Sequence, residues 1–134
     1  LLVGTPVDDY KEEFEAKVSS CSNVVSAGWI ESNSVYDFVL ASDLAVFPGT
    51  HSVLWEQSAA CGVPMIVKRW PGMEHVDMGG NCKFLDEINE STLSKVLSDI
   101  VGKPEEYEGM KRVATERRDT LLYSKIAKQS IKLN

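Results

Sequence analysis

The chain has 134 residues, of which 43% are hydrophobic and 25% are charged, which is typical of one folded globular domain and excludes a disordered or fibrous chain. Its formal net charge of −6 argues against nucleic-acid binding, which needs a basic surface. The three cysteines, Cys21, Cys61 and Cys82, form no CxxC pair, so we expect neither a zinc site nor a disulfide framework.

We expect a cytoplasmic protein, because no apolar run could span a bilayer, no secretory signal is visible and plain thiols suit a reducing compartment. The basic residues of the last quarter could also touch an anionic membrane at its inner face, although a solvated helix face is the simpler interpretation. The first residues, Leu1–Gly4, resemble the inside of a strand, so we expect a piece of a longer protein.

Short apolar runs alternate with helical patterns along the chain. The predicted strands cover residues 1–4, 23–27, 44–47, 64–68 and 82–85. The predicted helices cover residues 8–20, 34–42, 51–61, a segment marked by apolar residues from 93 to 101, a segment opening at Pro104, and about 121–132.

Apolar strands that alternate with helices indicate an α/β fold. We predict a Rossmann-like, doubly wound parallel sheet of about five strands with helices on both faces. This domain covers residues 1–103, and residues 104–134 are its C-terminal helical extension. Ligands of such sheets bind outside the carboxyl ends of the strands, which here means the loops at residues 4–8, 27–33, 48–52 and 68–80.

The segment from Ser42 to Pro64 carries the strongest local signal. A strand ends at Pro48-Gly49 and leads into the predicted helix 51–61. Free N–H groups at a helix start, with the hydroxyls of Thr50 and Ser52 and the small Gly49, suit a phosphate or diphosphate. A capped helix without a ligand is the alternative.

Glu56 lies one turn into that predicted helix, among small and apolar residues. A buried carboxylate needs a compensating partner, and a vicinal diol such as that of ribose donates two hydrogen bonds to one. The alternatives are an internal salt bridge or an exposed side chain.

The loop after the fourth predicted strand is polar. Lys68 and Arg69 could offset diphosphate charge. Glu74, His75 and Asp77 could meet sugar hydroxyls, and their spacing is not that of a metal site. A solvated surface loop is the alternative.

Three segments together resemble the C-terminal, donor-binding half of GT-B glycosyltransferases. Asn23–Ile30 is similar to the segment whose backbone meets the nucleotide base, which implies a binding role for Ile30. Ala41–Leu44 with Phe47–Gly49 resembles the stretch before the diphosphate loop, and Leu54–Pro64 resembles the ribose-binding helix, with Glu56 in the place of the ribose glutamate. Many retaining members carry a second Glu eight positions earlier, where this chain has Pro48.

The resemblance implies transfer of a sugar from a nucleotide-diphosphate sugar to an acceptor sugar or lipid-linked sugar. The acceptor would be held by an N-terminal half that this sequence does not include. We expect no cofactor or metal beyond the donor, and His51 is the candidate catalytic residue, acting on the leaving phosphate or the sugar. The alternatives are a non-hydrolysing UDP-sugar 2-epimerase and a non-catalytic Rossmann-like interaction domain.

Overall fold

The computed structural model describes residues 1–132, except for the side chain of Lys132. The chain divides into two compact units: the first is Leu1–Val35, and the second begins at Tyr36. The last two residues of the predicted helical extension, 133 and 134, lie outside the described residues.

The first unit contains a single parallel bridge, between Leu2 and Ser26, in place of the first two predicted strands. Leu2 N–H donates to Val25 O at 2.7 Å, and Ala27 N–H donates to Leu2 O at 2.9 Å. A 3-10 turn at Asp8–Tyr10 and helix α1, Lys11–Ser20, connect the two paired segments. Two short strands need a buried face to extend their pairing, and none of residues 1–35 is fully buried.

The second unit is built on one parallel sheet, with strands β1 (Ala45–Phe47), β2 (Met65–Lys68) and β3 (Cys82–Leu85) in that order. The prediction of about five strands was therefore wrong for this sheet, which has three. The α/β class with parallel strands is confirmed. A doubly wound sheet reverses its strand order, and these three strands run in one direction without a reversal.

Five helices belong to the rest of the described chain: α2 (Val35–Leu40), α3 (Leu54–Ala60), α4 (Glu90–Gly102), α5 (Pro104–Arg117) and α6 (Tyr123–Lys132). Short 3-10 turns lie at Glu74–Val76 and Arg118–Leu121. Within residues 1–132, we find no helix with the length and apolar character needed to cross a membrane.

Both faces of the three-stranded sheet are covered, because side chains alternate between its faces. On one face Met65 and Val67 pack with Trp55 and Ala59 of α3, and all four are completely buried. The other face carries Ile66, which packs with Ile100 of α4 and Met110 of α5. The helices on either side of residue 103 thus share one core.

Candidate functional site

The loops that follow β1 and β2 meet at one carboxylate. Nε2 of His51 lies 2.9 Å from Oε1 of Glu56, and Nε2 of His75 lies 3.0 Å from the same oxygen. Because β1 and β2 are parallel neighbours, the loops after them start at the same edge of the sheet. We call His51, Glu56 and His75 the Glu56 cluster.

Helix α3 sets the position of Glu56. Trp55 and Ala59 point into the core, and Glu56 lies beside them at the margin, with 17% of its side chain exposed. The helix begins at Leu54 and not at residue 51, so His51 belongs to the loop before it. Ser52 Oγ accepts a hydrogen bond from Leu54 N–H at 3.3 Å, which already satisfies one of the N–H groups that we assigned to a phosphate.

Two different contacts hold the histidines. The ring of His51 meets Trp55 edge-on, with centroids 5.1 Å apart and planes 80° to each other. His75 lies on the 3-10 turn at Glu74–Val76, which the buried Val76 anchors in the core. Nδ1 of His75 is 3.4 Å from the carbonyl oxygen of Gly72.

The hydrogen bonds at Glu56 outweigh the cost of burying its charge. Burial raises the pKa of this carboxyl, but the hydrogen bond from His51, the proximity of the carboxyl to its own backbone N–H and the hydrogen bond from His75 bring its pKa below the ordinary value. Glu56 is therefore a carboxylate at neutral pH. Its second oxygen, Oε2, is buried and has no hydrogen-bond partner among the described residues.

This arrangement orients both imidazoles. A carboxylate oxygen only accepts, so each Nε2 that bonds to Oε1 carries the proton. In a neutral His51 the lone pair then lies on Nδ1, the nitrogen that does not face Glu56. That nitrogen can take up a proton, and the charged ring can donate a hydrogen bond to a phosphate oxygen.

Lys68, the last residue of β2, and Arg69, which follows it, have partners of their own. Lys68 Nζ lies 4.8 Å above the ring of Trp70. Arg69 donates from Nε to Asp86 Oδ1 at 2.6 Å, and its guanidinium lies 4.7 Å above the ring of Phe84. Within residues 1–132, neither cation forms an ion pair with the Glu56 cluster.

The remaining predicted residues are accessible to different degrees. Gly49, Thr50 and Glu74 are exposed, and Ser52 is half-buried. Ile30 is half-buried in the first unit. The structure brings His51 and His75 to Glu56, which is the internal pairing that the sequence left open as an alternative for this carboxylate. Their binding roles and those of the other residues stay predictions.

Asp77, which we assigned to sugar hydroxyls, holds its own loop. Its Oδ1 accepts hydrogen bonds from the backbone N–H groups of Gly79, Gly80 and Asn81, at 3.2, 2.6 and 3.1 Å. Both glycines have positive φ angles, 112° and 116°, which this tight turn requires. The sequence signal for such a turn is the run Asp-Met-Gly-Gly-Asn, since short Asp and Asn side chains bond to nearby backbone.

The sequence analysis grouped His75 with Glu74 and Asp77 as contacts for sugar hydroxyls, and it did not predict that His75 reaches Glu56. A usable signal was present, because the chain has only two histidines and each lies in a loop after one of two adjacent strands. The two histidines are far apart in the sequence, and they become neighbours only because β1 and β2 pair in the sheet.

The first unit has a concave site of its own. A cavity of about 520 Å³ lies between α1 and the turns that follow the paired segments, with Gly4, Thr5 and Gly28 in its lining. Two of the four loops that we predicted at strand ends, residues 4–8 and 27–33, thus contribute to this cavity, and the other two meet at the Glu56 cluster.

Comparison of the chain with protein-family models, curated proteins and solved structures gives no match. In residues 1–132, no group of three or more His, Cys, Asp or Glu side chains is placed to hold a metal ion.

Proposed function

We propose that this chain is the donor-binding half of a glycosyltransferase of the GT-B class. The enzyme would transfer a sugar from a nucleotide-diphosphate sugar to an acceptor sugar or lipid-linked sugar in the cytoplasm. The observation that carries the proposal is the pairing of His51 with Glu56 at the carboxyl edge of two parallel strands. That edge is where open α/β sheets bind their ligands.

The proposal also includes a more specific fold class than α/β. A Rossmann-like fold is supported by parallel pairing within each unit, between Leu2 and Ser26 in the first and among β1, β2 and β3 in the second. It is also supported by the helices on both faces of the three-stranded sheet.

Catalysis would depend on electrostatic stabilisation of the leaving nucleotide. Transfer breaks the bond between the sugar's anomeric carbon and the diphosphate oxygen, so negative charge develops on the leaving nucleotide. His51, fixed by Glu56 through Nε2, can direct Nδ1–H at that oxygen when the ring is charged. The diphosphate would be bound by Thr50, Ser52 and the backbone at Gly49. The charge and the sugar of the donor would be contacted by Lys68, Arg69 and Glu74. The base would be contacted by Ile30.

Glu56 would bind the ribose. Its carboxylate is ionised, which is the state that accepts hydrogen bonds from a diol. In the free protein, however, two imidazoles occupy Oε1, and Oε2 is buried. A diol hydroxyl must therefore enter by replacing one of the two histidines.

The test is a double-mutant cycle that pairs Glu56→Ala with removal of the ribose hydroxyls. Affinities of the wild type and the variant are measured by titration calorimetry for UDP, GDP and their 2′,3′-dideoxy forms. We expect Glu56→Ala to cost about 1–2 kcal/mol for the preferred nucleotide, roughly five- to thirty-fold in Kd. Removal of the hydroxyls should cost affinity in the wild type and almost none in the variant.

Gln57→Ala is the matched control, because Gln57 is the next residue of α3, is also half-buried and is not part of the Glu56 cluster. It should bind as the wild type does. Additive losses in the cycle would leave Glu56 as a structural carboxylate. An absence of binding to either nucleotide would favour the non-catalytic interaction domain.

A further inference from the structure

Oε1 of Glu56 is saturated in the free protein. It accepts from Nε2 of His51 at 2.9 Å and from Nε2 of His75 at 3.0 Å, and one carboxylate oxygen has two lone pairs. Any further donor to this atom must displace one of the two rings.

His75 is the more loosely held of the two. Its side chain is 47% exposed, against 32% for His51. His51 is also packed edge-on against the buried Trp55. The only other polar contact of the His75 ring within the described chain joins Nδ1 to Gly72 O at 3.4 Å, and a neutral ring that donates through Nε2 has no proton on Nδ1 to donate there.

The backbone that carries His75 is well anchored. The next residue, Val76, is completely buried, and Asn81, also completely buried, donates from Nδ2 to Val76 O at 3.0 Å. Asp77 holds the turn that follows through three backbone N–H groups. The His75 ring can therefore rotate toward solvent about its own side-chain bonds while its loop stays in place.

We propose that His75 is a placeholder on Glu56, which a hydroxyl of a vicinal diol displaces when a nucleotide binds. His51 stays on Oε1, and the hydroxyl takes the position that the imidazole of His75 vacates. This inference rests on the proposed function and adds a specificity step to it, because a nucleotide without ribose hydroxyls has no hydroxyl donor to exchange for the imidazole. In the free protein the two histidines thus satisfy Oε1 of Glu56. Binding of the ribose exchanges the hydrogen bond from His75 for one from a hydroxyl.

The experiment compares His75→Ala with His75→Gln, using UDP, GDP and their 2′,3′-dideoxy forms as probes. His75→Ala leaves a hydrogen-bonding position on Oε1 free. We expect roughly three- to tenfold tighter binding of the preferred diol-bearing nucleotide, because no imidazole has to leave Oε1 before the hydroxyl binds. The dideoxy form should bind unchanged. His75→Gln keeps an N–H donor of similar reach and should bind like the wild type.

A second readout uses the unaltered protein. Histidine side-chain NMR should show the Nε2 resonance of His75 shifting when UDP or GDP is added, while that of His51 keeps the signature of its bond to Glu56. The dideoxy nucleotides should leave the His75 resonance in place.

The outcomes separate the two proposals. If the wild type discriminates diol from dideoxy nucleotides but His75→Ala weakens the binding of both or changes neither, the placeholder role is overturned and the proposed function stands. If the wild type binds neither nucleotide, or binds both forms equally, the ribose site is overturned together with the placeholder.

Discussion

His75 and Glu56 are nineteen residues apart in the chain, yet the imidazole of one lies 3.0 Å from the carboxylate of the other. The contact joins the loop after β2 to the first turn of α3. It exists because β1 and β2 pair in parallel and α3 returns across the face of the sheet between them. One carboxylate thereby orients a histidine from each of two adjacent loops.

The lowered pKa of Glu56 predicts an acid-dependent loss of stability. A carboxyl whose folded pKa lies below its ordinary value of 4.5 contributes stability that is fully present above that pH and is lost as the pH falls through the folded pKa. Glu56→Gln lacks this titration. Melting temperatures measured from pH 7 to about pH 3 should therefore fall less steeply for the variant than for the wild type. Parallel curves would show that Glu56 does not titrate differently on folding.

We predict that Asn81 stabilises the loop after β2. It is completely buried, accepts from Met78 N–H through Oδ1 and donates to Val76 O through Nδ2. Asn81→Asp keeps the shape but replaces the donor by a buried charge, so it should cost about 2–4 kcal/mol in urea unfolding. The control Asn33→Asp, at an exposed position, should change stability by less than about 0.5 kcal/mol. Similar small effects at both positions would contradict this role.

Trp55 is predicted to contribute to both the core and the site. Its side chain is completely buried, and its Nε1 has no hydrogen-bond partner within residues 1–132. Trp55→Ala should cost about 3–5 kcal/mol by leaving a cavity. Trp55→Phe should cost about 1–2 kcal/mol, because it keeps an aromatic ring beside His51 and removes an unsatisfied donor. Equal losses in the two variants, measured by chemical unfolding, would show that the ring itself is not what matters.

The three thiols should react in an order that the structure determines. Burial, followed by the charge of Asp77, raises the pKa of Cys82 to about 12, and burial also raises the pKa of Cys61. Cys21 is exposed. At about pH 8 a thiolate-specific reagent should label Cys21 first and leave Cys82 protected until the chain unfolds. Cys21→Ser should remove only the fast phase, and rapid labelling of Cys82 in the folded protein would contradict its burial.

The three paired strands and most helices were predictable because their signals are local. The apolar run at Leu44–Phe47, the run at Pro64–Lys68 and the helical spacing from Leu93 to Val101 each appear within one window of sequence, and the structure has an element at each. The run at Leu1–Gly4 looked equivalent. It forms only one bridge, because a strand also needs neighbours and a buried face, and neither is a property of the run itself.

For the candidate site, the alternation of strands and loops predicted the surroundings of Glu56, and the position of this carboxylate among apolar residues predicted that it needs a partner. The identity of that partner depends on tertiary contacts. Pairing between β1 and β2 and the turn held by Asp77 bring His75 to Oε1, and packing against Trp55 fixes His51 there. A hydrogen bond depends on tenths of an ångström, and between atoms that are far apart in the chain such distances are fixed only when the core is packed.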